Sequence, residues 1–154
     1  MWVHNTEHTC EEPAGFRVLP GVVAALDAAL GRADCAIGLG TGNLRVGAQK
    51  KLGHAGLWER FSFGGFADDS EERPKLIRIA AERGALHLKQ PLESCRVVVI
   101  GDTPLDIAAA HANGFEAFAV ATGPIALERL REHAPKHAYA ELNCEAAVAA
   151  LFHA

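Results

Sequence analysis

The sequence predicts an α/β fold, a parallel β-sheet covered by helices on both faces. Apolar runs such as Cys35–Leu39 and Arg96–Ile100 lack the polar alternation of a half-exposed strand, as expected where both faces of a sheet are buried. Between and beyond them lie segments with apolar residues at helical spacing, so strand and helix alternate with loops of a few residues. The chain has 154 residues, the length of one domain and enough to bury a core without disulfide or metal staples.

Residues 1–18 show no periodicity and hold Pro13 and Gly15, so they read as an irregular arm before a core domain over 19–154. Pro20 suits the first turn of a helix in which Val22, Val23, Leu26, Ala29 and Leu30 recur until Gly31 ends it. The run from Cys35 to Leu39 is the first strand; it opens into Gly40-Thr41-Gly42-Asn43, and a helix continues to Leu52. Phe61-Ser62-Phe63 is a short strand candidate before the turn-rich stretch Gly64 to Ser70. Pro74 stands near the start of the next helix, with Leu76, Ile77, Ile79 and Ala80 on one side. Arg96–Ile100 is the clearest strand, β-branched and uninterrupted. It runs into Gly101-Asp102-Thr103-Pro104 and a helix from Leu105 to Ala112 that Asn113-Gly114 closes. A strand over Phe115–Ala121, a helix over Ile125–Arg131, a weak strand at His137–Ala140 and a helix to Phe152 complete the alternation.

Composition removes several function classes. The chain is 49% hydrophobic and 22% charged, which excludes a disordered polypeptide. A net charge of −4 gives no basic field for nucleic acid or an anionic membrane surface. No apolar stretch approaches the ~18 residues of a membrane span. Met1 to Glu12 carries His4, Glu7, His8, Glu11 and Glu12 without an apolar centre, unlike a secretory signal. Cys10, Cys35, Cys95 and Cys144 form no C-x-x-C pair and read as reduced thiols, so a cytoplasmic protein is expected.

Ligands of open α/β sheets bind beyond the carboxyl ends of the strands. That rule selects two loops, Gly40–Asn43 and Gly101–Asp106. Asp102 and Asp106, four residues apart at a helix start, can share one side, and two carboxylates suit Mg²⁺. The same residues would equally serve to cap the helix and favour its positive end. In Gly40–Asn43 the glycines let backbone approach an anion, Thr41 offers a hydroxyl and the following helix offers N–H groups. An ordinary strand-to-helix turn capped by Thr41 or Asn43 has the same composition. The charge run Asp68–Lys75 reads as a solvated loop and helix start, or as the source of a phosphate-neutralising Arg73 or Lys75.

In order, these segments resemble the haloacid-dehalogenase-like (HAD) hydrolases, phosphoglycolate-phosphatase-like members in particular. The motifs are Gly40-Thr41-Gly42-Asn43, Arg73-Pro74 and Gly101-Asp102-Thr103-Pro104-Leu105-Asp106, with Val18-Leu19-Pro20-Gly21-Val22 as a lead-in, and the likeness runs from Phe16 to Phe152. The resemblance implies a three-layer Rossmann-like core and Mg²⁺-dependent hydrolysis of a small phosphorylated metabolite. It implies that Thr41, Gly42, Asn43 and Arg73 hold the phosphoryl group, with Thr41 and Arg73 taking part in catalysis. Asp102 and Asp106 would hold Mg²⁺.

One departure stands out. The family's nucleophile lies in a D-x-D segment at the end of its first, central strand, and the sequence contains no D-x-D. The chain therefore reads as a partial HAD core without that strand and most of the cap, residues 1–18 being a cap remnant. The missing strand would stand between those carrying Thr41 and Asp102. Little or no turnover is expected, and exposed sheet edges would invite self-association. Two alternatives accompany this reading. One is a non-catalytic remnant that binds a phosphate ligand or a protein. The other is a methyltransferase-like domain, because Gly38–Asn43 also resembles the glycine-rich loop of S-adenosylmethionine-dependent enzymes, though Ala36 stands where those carry an acid.

Overall fold

The computed structural model describes residues 18–152. The expected arm over 1–18 thus lies outside the described residues except for Val18, which packs against a core cluster. In chain order the elements are α1 (Val22–Leu30), β1 (Gly38–Gly40), α2 (Arg45–His54), β2 (Phe63–Gly65), α3 (Arg73–Leu88) and β3 (Val98–Gly101). They continue with α4 (Pro104–Ala112), β4 (Glu116–Val120), α5 (Leu127–Arg131), β5 (His137–Tyr139) and α6 (Glu145–Phe152).

Every ladder among the described residues is parallel. β1 pairs with β2, and β3, β4 and β5 pair in that order. No ladder joins β1 to β3 among the described residues, so the strands stand in two blocks. Successive side chains of a strand point to opposite faces. Val99, Ala117 and Ala119 accordingly meet Leu76 and Ile77 of α3, Ile107 of α4 and Leu130 of α5. Ile100, Phe118 and Val120 meet Val22, Leu26 and Ala29 of α1 and Ala147 of α6 on the other side. The result is the three-layer α/β arrangement that the uninterrupted apolar runs predict.

Some boundaries move. β1 begins at Gly38, later than the expected Cys35, because pairing with β2 starts where the Ser62 N–H donates to the Ile37 carbonyl at 3.1 Å. β2 runs through Gly64 and Gly65, which read as turn residues, since their backbones register with Leu39 and Gly40. α5 starts at Leu127 after an extended Ala126. No helix among the described residues is long and apolar enough to cross a membrane.

Candidate phosphate site

The site is built at the carboxyl ends of β1 and β3. Thr41 follows β1, is only 3% exposed, and is tied to the β2 side by its N–H donating to the Gly65 carbonyl at 3.0 Å. Its hydroxyl oxygen accepts the Asn43 backbone N–H at 3.2 Å and the Asn43 side-chain amide at 3.0 Å. A hydroxyl has two acceptor sites and one donor, so filling both acceptor sites directs its proton to a further acceptor. Asn43, expected as a phosphate contact, thereby also holds the Thr41 hydroxyl.

The first turn of α2 is met from across the fold. The Arg45 N–H donates to Asp68 Oδ2 at 2.6 Å, so a carboxylate from the loop after β2 caps this helix. That loop is braced by Arg83, which donates to the Gly64 carbonyl at 2.6 Å and to both oxygens of Asp69 at 2.7 Å. The Arg83 hydrogen bonds hold the Asp69 carboxyl below the usual aspartate range against the opposing effect of burial, with the Phe66 N–H adding to them. Arg83 is correspondingly raised by Asp69.

Asp102 follows β3 and is 7% exposed, and Asp106, one turn into α4, is 1% exposed. Thr103 is the N-cap of α4 and forms a capping box with Asp106. Asp106 Oδ2 accepts the Thr103 N–H at 3.2 Å and the Thr103 hydroxyl at 2.8 Å. Asp106 Oδ1 accepts Nε of Arg73 at 2.8 Å and also its Nη2. Four donors therefore occupy the carboxylate that the sequence pairs with Asp102 as a metal ligand. Of the two readings of the Asp102–Asp106 spacing, helix capping is seen at Asp106, which also grips the basic residue of α3.

Arg73 reaches the first loop as well. A side chain at Gly42 would begin 3.9 Å from Arg73 Nη1, so the guanidinium lies beside the Thr41-Gly42 turn. Lys75, the other basic candidate, pairs with Glu72 on the surface. Two glycines hold the acids in place. Any side chain at Gly101 would collide with Asp106, and any at Gly123 would collide with Asp102. Gly123, Asp68 and Arg83 were not singled out by the sequence as site residues. Gly123 had a usable signal, because its loop also follows the carboxyl end of a strand, β4.

The donor set bears on a metal. No group of three or more His, Cys, Asp or Glu side chains able to hold an ion occurs among the described residues. Asp102 is a donor of the right kind for Mg²⁺, a cation often held by one or two carboxylates with water and phosphate oxygens. It fits as one ligand of such a site.

A hydroxyl–glycine turn after one strand, a basic side chain from a neighbouring helix and a buried aspartate after another strand are thus brought to one end of the sheet, in the arrangement expected of a HAD-like scaffold. Comparison with known proteins agrees. Residues 72–143 match a family model described as HAD-hydrolase-like. A haloacid dehalogenase-like family hydrolase from Streptococcus pneumoniae is similar at 16% identity and TM-score 0.69, over 88% of this chain and 60% of its own. A predicted phosphoglycolate phosphatase from Haemophilus somnus is similar at 21% identity and TM-score 0.66, over 82% of this chain and 55% of its own. A β-phosphoglucomutase from Clostridium difficile is similar at 20% identity and TM-score 0.63, over 82% of this chain and 51% of its own. No curated protein sequence matches the chain. The chain is HAD-like over the matched segment, and its fold is that of HAD-superfamily structures, of whose length it spans little more than half.

Proposed function

We propose that the chain forms the phosphate-holding part of a HAD-type phosphate monoester hydrolase and binds the phosphoryl group of a small metabolite. The observation that carries this is the convergence of Thr41, Gly42 and Arg73. The Thr41 hydroxyl and the Gly42 N–H donate to phosphoryl oxygens, and the Arg73 guanidinium neutralises their charge. Asp106 holds Arg73 in place and so acts through it. Asp102 would hold Mg²⁺, which when bound supplies positive charge against the phosphoryl oxygens. The phosphate-binding residues in this reading are Thr41, Gly42, Asn43 and Arg73, with Asn43 also holding the Thr41 hydroxyl.

Turnover by the chain as given is expected to be low or absent, because the sequence has no D-x-D segment to supply the family's aspartate nucleophile. Binding of a phosphate-bearing ligand without hydrolysis is then the main activity. A cytoplasmic setting goes with this reading, supported by three free thiols, Cys35, Cys95 and Cys144, among the described residues.

The test is phosphate release from a generic aryl phosphate with and without Mg²⁺, alongside calorimetric binding of inorganic phosphate. Phosphate binding that weakens in Arg73→Met, with no metal-dependent release, is the expected result. Release that requires Mg²⁺ and disappears in Asp102→Asn would show a competent enzyme. Absence of any phosphate binding would remove the reading altogether.

A further inference from the structure

We infer that Arg83 and Asp69 are positioning residues for the turn Thr41–Asn43, an inference that rests on the phosphate-binding reading of that turn. Thr41 and Gly42 offer a ligand one hydroxyl and one backbone N–H, so their value depends on where the backbone stands. Three hydrogen bonds fasten this backbone to the loop after β2. The Thr41 N–H donates to the Gly65 carbonyl at 3.0 Å, and the Ala67 N–H donates to the Asn43 carbonyl at 3.1 Å. The Arg45 N–H, at the start of α2, donates to Asp68 Oδ2 at 2.6 Å. Whatever fixes residues 64–69 therefore fixes the turn.

Asp69 closes that loop on itself. Its Oδ2 accepts the Phe66 N–H at 3.0 Å, while its own N–H donates to the Phe66 carbonyl at 2.9 Å. Arg83 then clamps the loop onto α3. Its Nη1 and Nη2 donate to the two oxygens of Asp69, both at 2.7 Å, and Nη1 also donates to the Gly64 carbonyl at 2.6 Å. One planar group thus spans β2 and the loop beyond it, a geometry that the point charge of a lysine cannot copy. The same helix carries Arg73 in its first turn. α3 therefore sets both halves of the phosphate cradle, the guanidinium through its own start and the turn through Arg83. The pair is only partly buried, the arginine side chain being 43% exposed and the aspartate 19%. Pairs of this kind add little to global stability. Its loss should be felt at the turn and not throughout the fold.

The test uses the intact chain with inorganic phosphate as the probe. Arg83→Met keeps the stem of the side chain and removes its fork. Phosphate affinity should fall about tenfold, the worth of one hydrogen bond to a charged group. Hydrogen exchange at the Thr41 and Ala67 amides should quicken by about tenfold or more, while the amides of β4 keep their rates. Arg83→Lys should restore only part of the affinity, because it cannot grip both Asp69 oxygens. Asp69→Asn should reproduce the effects of Arg83→Met, and the double variant should be no worse than either single, since the two residues act as one unit. Arg96→Met is the control. It breaks another partly exposed arginine pair, with Glu116, and should leave phosphate affinity unchanged. Three results would overturn the inference: Thr41 and Ala67 amides that exchange as before in Arg83→Met, amides that are freed while phosphate affinity holds, or an equal loss of affinity in Arg96→Met. A parent chain that binds no phosphate would instead sink the proposed function, and the two amides would then decide by themselves whether Arg83 fixes the turn.

Discussion

Arg73 and Asp106 are locked together at the carboxyl end of the fold, Nε and Nη2 of the arginine both donating to one carboxylate oxygen while Thr103 takes the other. The pair joins α3 to α4 and turns the remaining guanidinium nitrogen toward Gly42. The aspartate is almost completely buried and the arginine side chain is 15% exposed. Removing one partner from such a pair strands a charge. Asp106→Ala is therefore expected to destabilise the fold by about 3 kcal/mol. The double variant Asp106→Ala with Arg73→Met should cost less than the sum of the two singles, by about 1–3 kcal/mol of coupling. Urea unfolding of the four proteins tests this, and strict additivity would refute it.

Thr41→Val keeps the shape of the side chain and removes its hydroxyl. Phosphate binding should weaken by roughly tenfold, the loss of one hydrogen bond to a charged group. The Asn43 N–H and amide lose their shared acceptor at the same time, so a stability loss of about 1 kcal/mol should accompany it. Calorimetry with inorganic phosphate and a thermal melt separate the two effects. Unchanged affinity would remove Thr41 from the site.

Two alanine substitutions of glycine should differ in sign. At Gly123 the new methyl group would collide with Asp102, so the loop after β4 must move at a cost of about 1–3 kcal/mol. Mn²⁺ affinity, used as a stand-in for Mg²⁺, should fall with it. At Gly47 of α2 nothing lies within 4 Å, and alanine there should stabilise by about 0.5–1 kcal/mol. Equal effects at the two positions would contradict the contact geometry.

Acid should weaken the fold through Glu116. Arg96 donates to it at 2.7 and 2.9 Å and Lys136 at 2.7 Å, and these bonds, Arg96 first, hold its carboxyl below the usual glutamate value while burial opposes them. The folded state thus binds this proton less readily than the unfolded state. Its stabilisation is complete above the unfolded value of about 4.3 and is lost as pH falls through the lower folded value. Glu116→Gln should cost about 1 kcal/mol near neutrality, allowing for solvent screening of partly exposed partners. The difference from the parent should shrink between pH 5 and the acid limit of the folded state, as followed by denaturant titrations at stepped pH values.

The sequence exposed the parallel α/β class because burial on both faces leaves uninterrupted apolar runs, and Val98–Ile100 shows this directly. It also exposed the two loops, since glycine, hydroxyl and acid at strand ends are local signals. What it hid is long-range. The spacing of Asp102 and Asp106 is the same whether the second acid faces a metal or an arginine, and only the placement of α3 against α4 decides that Arg73 holds it. Asp68 read as part of a solvated charge run because its partner, the Arg45 N–H, lies 23 residues away in sequence. In β2 only Phe63 carried a strand signature; Gly64 and Gly65 read as turn residues, and pairing with β1 makes them strand.

The described ladders connect only strands that follow each other in the chain: β1 with β2, β3 with β4, β4 with β5. Doubly wound sheets normally slow their assembly at the one place where distant strands must meet. Here each block closes within consecutive βα units, which lowers the mean sequence separation of the contacts that define the sheet. Each block can therefore nucleate by itself, and their docking through α3 should come afterwards. Kinetically, that predicts a refolding limb whose early phase is insensitive to changes in Arg73 and whose late phase is slowed by them.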